Sequence, residues 1–372
     1  MGNKKVRHVL GISGGKDSAA LAIYMKDNYP HLDIEYYTSD TGKELEETYQ
    51  LIDNLETYLG KKIHRLVAAE DSHQNPFDHF YEIFGGYLPS SQARWCTKKL
   101  KLEPFEEYVG DDLVISYVGI RGDEDREGYI SKKSNIQSIF PFRQNIWSID
   151  VTKQVFDNAN ATLVEQYYVE EGQTTGADLS RILDVLGKPL SRSFLLEEKV
   201  KLLLDIDTAL FNRVVHRFLQ LSDKPMAQVA DFPLIDNTDV LVKDNIFRIL
   251  RESGVGVPAY YEEIEFEVDG MKGTYSRSRS GCFFCFFQQK IEWVWLLEQH
   301  PVRFAKAVAY EKEGYTWMDE SLEELAKPER VAEIKRDYLK RLERAKKSKS
   351  ENSPYLMDSL MRESDGCIAC FV

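Results

Sequence analysis

No run of 18 apolar residues occurs in the 372-residue chain, so a membrane-spanning helix of ordinary length is not expected. The opening segment MGNKKVRHVL leads straight into an apolar strand, which argues against a secretory leader, and Val6 stands where a myristoylation signal needs Ser or Thr. Cysteine is scarce, with five residues. In a chain expected to be cytoplasmic these point to metal or redox chemistry more readily than to disulfides. Positive charge is also in deficit: 48 Lys and Arg face 61 Asp and Glu, a net charge of −13, which repels bulk nucleic acid unless basic residues gather on one face. They do gather. Residues 327–349 hold ten Lys or Arg against four Asp or Glu, and shorter basic runs occur at Arg94–Lys99 and at Arg277 and Arg279; the plainer reading of the long run is a solvated helix face. Internal repeats and long low-complexity tracts are absent as well.

What the chain does have is a glycine-rich turn between an apolar strand and a helical pattern, in VLGISGGKDSAALAIYM. Gly14 and Gly15 allow a tight turn that aims backbone N–H groups at an anion. The helix that follows contributes the positive end of its dipole, and Lys16 a full charge. The pattern G-x-x-x-x-G-K-[ST] is not met, because two residues separate Gly11 from Gly14 and Asp17 precedes Ser18. Residues Ser13, Gly14, Gly15, Lys16, Asp17 and Ser18 are therefore read as a phosphate cradle of another type.

Around it the first 122 residues alternate strand and helix. Apolar runs at 9–12, 34–37, 63–67 and 113–118 are separated by helical patterns such as 46–59 and 100–108, which predicts an α/β fold with a parallel sheet and crossover helices. In such sheets the functional loops lie at the carboxyl ends of the strands. Asp40, after the second strand, is placed to bond a ribose or adenine or to assist Mg²⁺, although a D-T-G turn has the same composition. Gly119 and Arg121, after a later strand, offer backbone freedom and a guanidinium for phosphate charge; a surface arginine is the bland alternative. Residues 1–123 are read as the nucleotide-binding unit and 124–230, with helical patterns at 151–170 and 194–221, as a helical insertion. Residues 231–372 are read as the remainder of the core, with a Cys-containing helical region and a basic helix.

Cys96 lies among Arg94, Lys98, Lys99 and Lys101 at a helix start, both of which favour a thiolate. Cys282 and Cys285 form one CxxC pair and Cys367 and Cys370 another. The gap between the pairs is far wider than in a zinc ribbon. Three arrangements remain open: zinc held by the four paired thiolates, an iron–sulfur cluster on Cys96 with the first pair, or a metal on the first pair with a redox-active terminal pair.

In order, SGGKDS, SDTGKELEETY, RWCTKKLK, GIRGDEDRE and the late CxxC resemble the phosphoadenosine phosphosulfate reductase family of the PP-loop ATP pyrophosphatase superfamily, whose fold is adenine nucleotide alpha hydrolase-like. The resemblance covers residues 5–123 and about 232–310. It implies ATP binding by Ser13–Ser18 and a 4Fe–4S cluster on Cys96, Cys282 and Cys285. Two features depart from sulfate-assimilating members: Thr97 follows Cys96 where adenylylsulfate reducers have a second cysteine, and the tail reads GCIACFV in place of E-C-G-x-H. These departures favour a likeness to the DndC/SspD-type proteins of bacterial DNA phosphorothioation systems. That likeness implies ATP-dependent adenylation of a DNA backbone phosphate, followed by sulfur insertion in anti-phage defence.

In that reading Lys16, Asp17 and Arg121 act on the triphosphate with Mg²⁺, and a cysteine desulfurase and other subunits of a modification complex are partners. Cys367 and Cys370 are sulfur carriers or further ligands. The alternatives are a reductase of adenylylated sulfate, a tRNA thiolase, and a nucleotide-binding defence subunit that carries zinc and turns over little.

Overall fold

The structure is a computed structural model that describes residues 5–124 and 131–350; Cys367 and Cys370 lie outside the described residues. The chain begins with β1 (Arg7–Gly11), α1 (Lys16–Asn28), β2 (Ile34–Asp40), α2 (Glu46–Leu59) and β3 (Ile63–Val67). It continues through α3 (Pro76–Ile83), α4 (Trp95–Thr97), a wide helical turn at Lys98–Leu102, α5 (Glu103–Val109), β4 (Val114–Tyr117) and β5 (Ile136–Ile139). All five strands are parallel, in the order β3-β2-β1-β4-β5. The chain moves outward from β1 to β2 and β3, then returns to place β4 on the other side. The crevice at the carboxyl ends of β1 and β4 is thus the switch point where such sheets bind ligands.

Local sequence explains the elements. In α2, Thr48, Leu51, Ile52, Leu55 and Leu59 recur at helical spacing and are buried, and Gly60 ends the helix at φ +66°. In α3, Pro76 opens the helix and Asn75 caps it by accepting from the Asp78 N–H at 3.1 Å. Helix α1 has no polar face, since every residue from Lys16 to Met25 is buried. It is sandwiched between the sheet and α11 (Lys243–Glu252), so hydrophobicity all round is what its place requires.

The segment expected to be a helical insertion over 124–230 is corrected at its start. Strand β5 lies within it and pairs with β4, and Phe140, Phe142, Ile146 and Trp147 continue into the core, so helices begin only at α6 (Ile149–Val155). The IQSI of β5 is buried on both faces and shows no alternation, which leaves periodicity silent about it. Helices α7 (Ala161–Thr175), α8 (Leu179–Leu186), α9 (Leu196–Ile206) and α10 (Thr208–Leu219) follow. Their buried side chains, Val164, Phe211 and Val214 among them, share one core with Leu10, Leu21 and Ile115.

After α11 comes a hairpin, β6 (Ile264–Val268) with β7 (Met271–Tyr275), turning at Asp269 (φ +51°) and Gly270 (φ +75°). Sequence reasoning passed over it, although Asp-Gly between short apolar runs is a strong hairpin signal because both turn residues need positive φ. Helices α12 (Lys290–Gln299), α13 (Pro301–Val308), α14 (Leu322–Leu325) and α15 (Pro328–Ser350) complete the described chain. They build a second, aromatic-rich core on Trp293, Phe304, Trp317 and Phe284. Among the described residues no helix is long and apolar enough to cross a membrane.

Candidate functional site

The loop from Ser13 to Ser18 joins β1 to α1 at the switch point. Gly14 has φ +71°, and a Cβ there would stand 2.2 Å from Thr48 Cγ2; a Cβ on Gly15 would stand 2.7 Å from Ser280 Oγ. Ser18 Oγ accepts from the Ser13 N–H at 3.1 Å and lies 3.0 Å from Ser13 Oγ, which closes the loop on itself. The N-cap residue Gly15 has no side chain to cap α1, so the positive end of the helix dipole is offered to an anion.

Residues far along the chain clamp this loop. Tyr260 donates its hydroxyl to the Gly14 carbonyl at 2.7 Å, Ser280 donates to the Ser13 carbonyl at 3.3 Å, and the Lys16 N–H donates to the Tyr261 hydroxyl at 3.4 Å. Lys16 Nζ reaches the Ser278 carbonyl at 3.3 Å and lies 4.7 Å from the centre of the Tyr261 ring. None of Tyr260, Tyr261, Ser278 and Ser280 was legible as a site residue, because their role depends on contacts some 250 residues apart in sequence.

Arg121 does not face open space. Its guanidinium pairs with Asp17 at 2.8 Å, Asp123 at 2.9 Å and Glu124 at 3.2 Å, and the residue is 4% exposed. Where a cation directed at phosphate was expected, the Arg121 guanidinium is held by carboxylates, among them Asp17 at the first turn of α1. Gly119 likewise serves contact between loops, since a Cβ there would meet the Asp17 backbone oxygen at 3.0 Å. Asp40 is where it was expected, at the end of β2. Its Oδ1 accepts from the Gly42 N–H at 2.8 Å and from Tyr49 at 2.9 Å. With Ser13, Thr48, Tyr49 and Lys101 it lines a small cavity of about 20 Å³. Beside it Glu44 is buried, takes a 2.6 Å hydrogen bond from Thr41, and is pushed above the usual carboxylate range, chiefly by desolvation.

The glycine-rich loop stands between this cavity and a larger cleft. Ser13 and Asp40 open on the first. Lys16 opens on the second, a cleft of about 1020 Å³ between the loop, α11 and α15.

The cysteines behave otherwise than expected. Cys282 and Cys285 share a turn, with the Cys285 N–H donating to the Cys282 carbonyl at 3.1 Å. The segment bearing Cys96 comes alongside through Trp95, which packs on Phe77 at 5.1 Å, while Phe77 packs on Phe284 at 4.6 Å. Yet Cys282 Sγ lies 3.2 Å from Thr41 Oγ1, and burial, with the charge of Glu44 behind it, pushes its thiol well up. Among the described residues no three Cys, His, Asp or Glu side chains are gathered as metal ligands. The expected ligand set of Cys96, Cys282 and Cys285 is thus not confirmed, and Cys367 and Cys370 lie outside the described residues. Sequence spacing brought the right segments together but could not say where each sulfur points.

The loop does fit a nucleotide phosphate: the cradle at Gly14 and Gly15 is too tight for a Cβ, and the helix end is uncapped. Comparison with known proteins agrees. Residues 7–146 match the family profile described as phosphoadenosine phosphosulfate reductase domain. An uncharacterised protein of Methanocaldococcus jannaschii is 32% identical over 155 residues, covering 37% of this chain and 30% of that one. The tRNA-specific 2-thiouridylase MnmA of Haemophilus ducreyi is 29% identical over 129 residues, covering 31% of this chain and 32% of its own. That of Actinobacillus succinogenes is 26% identical over 174 residues, covering 37% and 43%. The chain thus spans less than half the length of these curated relatives. A crystal structure of the phosphoadenylyl-sulfate reductase of Candida auris in a phosphate complex aligns with a TM-score of 0.29 at 17% identity, over 39% of this chain and 67% of that one. The profile match thus falls on the segment that carries the parallel sheet and the glycine-rich loop.

Proposed function

We propose that the protein is an ATP pyrophosphatase of sulfur transfer, which adenylates an oxygen of a nucleic acid so that sulfur can replace it, with a DNA backbone phosphate as the acceptor. The observation that carries this reading is the loop itself: a turn that admits only glycine, at the switch point of a parallel sheet, beside Lys16 and an uncapped helix end. The loop N–H groups and Lys16 hold the phosphates and offset the charge that builds as the α–β bond breaks. Asp40, whose two hydrogen bonds both fall on Oδ1, is the carboxylate suited to Mg²⁺. Asp17 stays paired with Arg121 and holds the first turn of α1 in place.

In the first step the acceptor oxygen bonds to the α-phosphorus and pyrophosphate leaves. In the second, the terminal sulfur of a cysteine desulfurase persulfide bonds to the activated centre as AMP leaves with the oxygen, and a thiol reductant then cleaves the remaining S–S bond, taking the carrier sulfur into a disulfide. Other subunits of a modification complex present the acceptor, and the site of action is the cytoplasm. A tRNA base is a second acceptor, favoured by the similarity to tRNA 2-thiouridylases. The proposal routes no step through a metal cluster.

The test supplies ATP labelled at the α-phosphate, a cysteine desulfurase with cysteine, a thiol reductant, and either DNA or tRNA, followed by nuclease digestion and mass spectrometry. AMP, pyrophosphate and phosphorothioate linkages in DNA are expected, all lost in Lys16→Ala. Thiolated bases in tRNA would shift the acceptor. ADP as the product, or adenylylated sulfate reduced without ATP consumption, would overturn the proposal.

A further inference from the structure

The larger cleft holds a feature that nucleotide binding does not use. Arg277 is 1% exposed and lines this cleft, yet only Nη2 has a partner, the Cys282 carbonyl at 3.1 Å; Nε and Nη1 have none. A buried guanidinium with two orphan donors is costly unless an acceptor arrives. Around it the cleft repeats one motif, a cation stacked on a ring. Lys16 lies 4.7 Å from the centre of Tyr261, Arg251 lies 5.5 Å from Phe247 and Arg341 lies 6.0 Å from Tyr338. Arg277 itself sits 5.8 Å from Tyr260 and 6.0 Å from Trp295. On α15, Arg330, Lys335 and Arg336 each pair with a carboxylate, whereas among the described residues Arg341 and Arg251 enter no salt bridge.

Carboxylates line the cleft too. Glu292 is committed to the Ser278 N–H at 2.6 Å and the Gln289 N–H at 2.8 Å, and Glu263 takes a hydrogen bond from Thr274; Asp244 and Glu262 complete the acidic groups. These keep the cleft close to neutral, which disfavours a duplex held by charge alone. Alternating rings and unpaired guanidiniums suit a strand whose bases are unstacked, each base lying on a ring and each phosphate meeting an arginine.

We infer that the cleft between the phosphate loop, α11 and α15 receives an unpaired stretch of the nucleic-acid acceptor, with one backbone phosphate on Arg277 and bases against Phe247, Tyr261 and Tyr338. This deepens the proposed function, on which it rests. The glycine-rich loop and Lys16 form one wall of this cleft, so ATP held on the loop meets the acceptor there.

Fluorescence anisotropy with the full chain and labelled single-stranded 12-mers of DNA and of RNA, against the same DNA sequence as duplex, tests it. Single strand should bind at least tenfold more tightly than duplex. Arg251→Ala with Arg341→Ala, both at exposed rim positions, should weaken single-strand binding at least tenfold. It should also flatten the plot of log Kd against log salt by about 1.4, at about 0.7 per phosphate contact. Arg277→Gln should weaken binding at least tenfold and flatten the plot by about 0.7, one phosphate contact; the rim pair keeps the test decisive if that variant does not fold. Preference for DNA or RNA identifies the source of the strand. Equal binding of duplex and single strand, or no change in the rim variant, would overturn the inference. Release of AMP from ATP by the same preparation is read separately, so loss of strand binding with intact ATP cleavage refutes the cleft alone, and strand binding without ATP cleavage refutes the proposed function alone.

Discussion

Substituting Gly14 by alanine puts the phosphate cradle under two separable strains. With φ at +71°, an L-residue costs about 1–2 kcal/mol in the left-handed region. The new Cβ also falls 2.2 Å from Thr48 Cγ2, far inside contact distance, on a buried side chain of α2 that cannot swing away. Overpacking of this kind adds about 1–3 kcal/mol, so Gly14→Ala should destabilise by about 2–5 kcal/mol. Thr48→Ser deletes the offending methyl and by itself should cost about 1 kcal/mol. In the double variant the steric part disappears while the dihedral part stays, which gives a favourable coupling of about 1–3 kcal/mol between the two sites. Chemical denaturation of the four proteins measures that coupling, and ATP binding measured alongside should recover partly in the double variant. Strictly additive costs would refute the claim that Thr48 is what demands a glycine here.

Asp17→Asn should destabilise by about 1.5–3 kcal/mol: it loses the charged hydrogen bond to Arg121 and the 3.5 Å ion pair with Lys16, but Asp123 and Glu124 still hold Arg121 and Lys16 keeps the Ser278 carbonyl, so neither cation is stranded. A loss well above about 4 kcal/mol in denaturation experiments would show that those two carboxylates do not compensate. His216 packs beside Trp147 and Phe232 with Nε2 2.8 Å from the Val229 carbonyl, and burial holds its pKa below the ordinary histidine value. A base depressed in the folded state contributes stability above its unfolded pKa and loses it as pH falls toward the folded value. Stability should therefore drop below about pH 6.5, by at most about 1.4 kcal/mol per pH unit from this one group. His216→Gln should reduce that slope between pH 7.5 and 5.5, with the remainder due in part to His8 and His300, which burial also depresses. An unchanged slope would remove His216 as a cause.

The strand and helix alternation of the first 122 residues was legible because each element carries its own period, and α2 was read to the residue, at Glu46–Leu59. Strand β5 and the β6–β7 hairpin were not, one being too short and too buried to alternate, the other resting on a two-residue turn that was passed over. The phosphate loop declared itself through residue types that almost no other backbone requires. The sequence by itself thus determined the chemistry on offer: a cradle for phosphate, a lysine beside it, and thiols in three segments. Only the tertiary structure decided how those groups are used. It turned Arg121 onto three carboxylates, set Cys282 against Thr41, left two Arg277 donors without acceptors in a cleft, and brought Tyr260, Tyr261 and Ser280 onto a loop some 250 positions away. The physical reason is that a residue's type fixes which bonds it can make, whereas the partner it meets depends on packing between segments that share no local pattern.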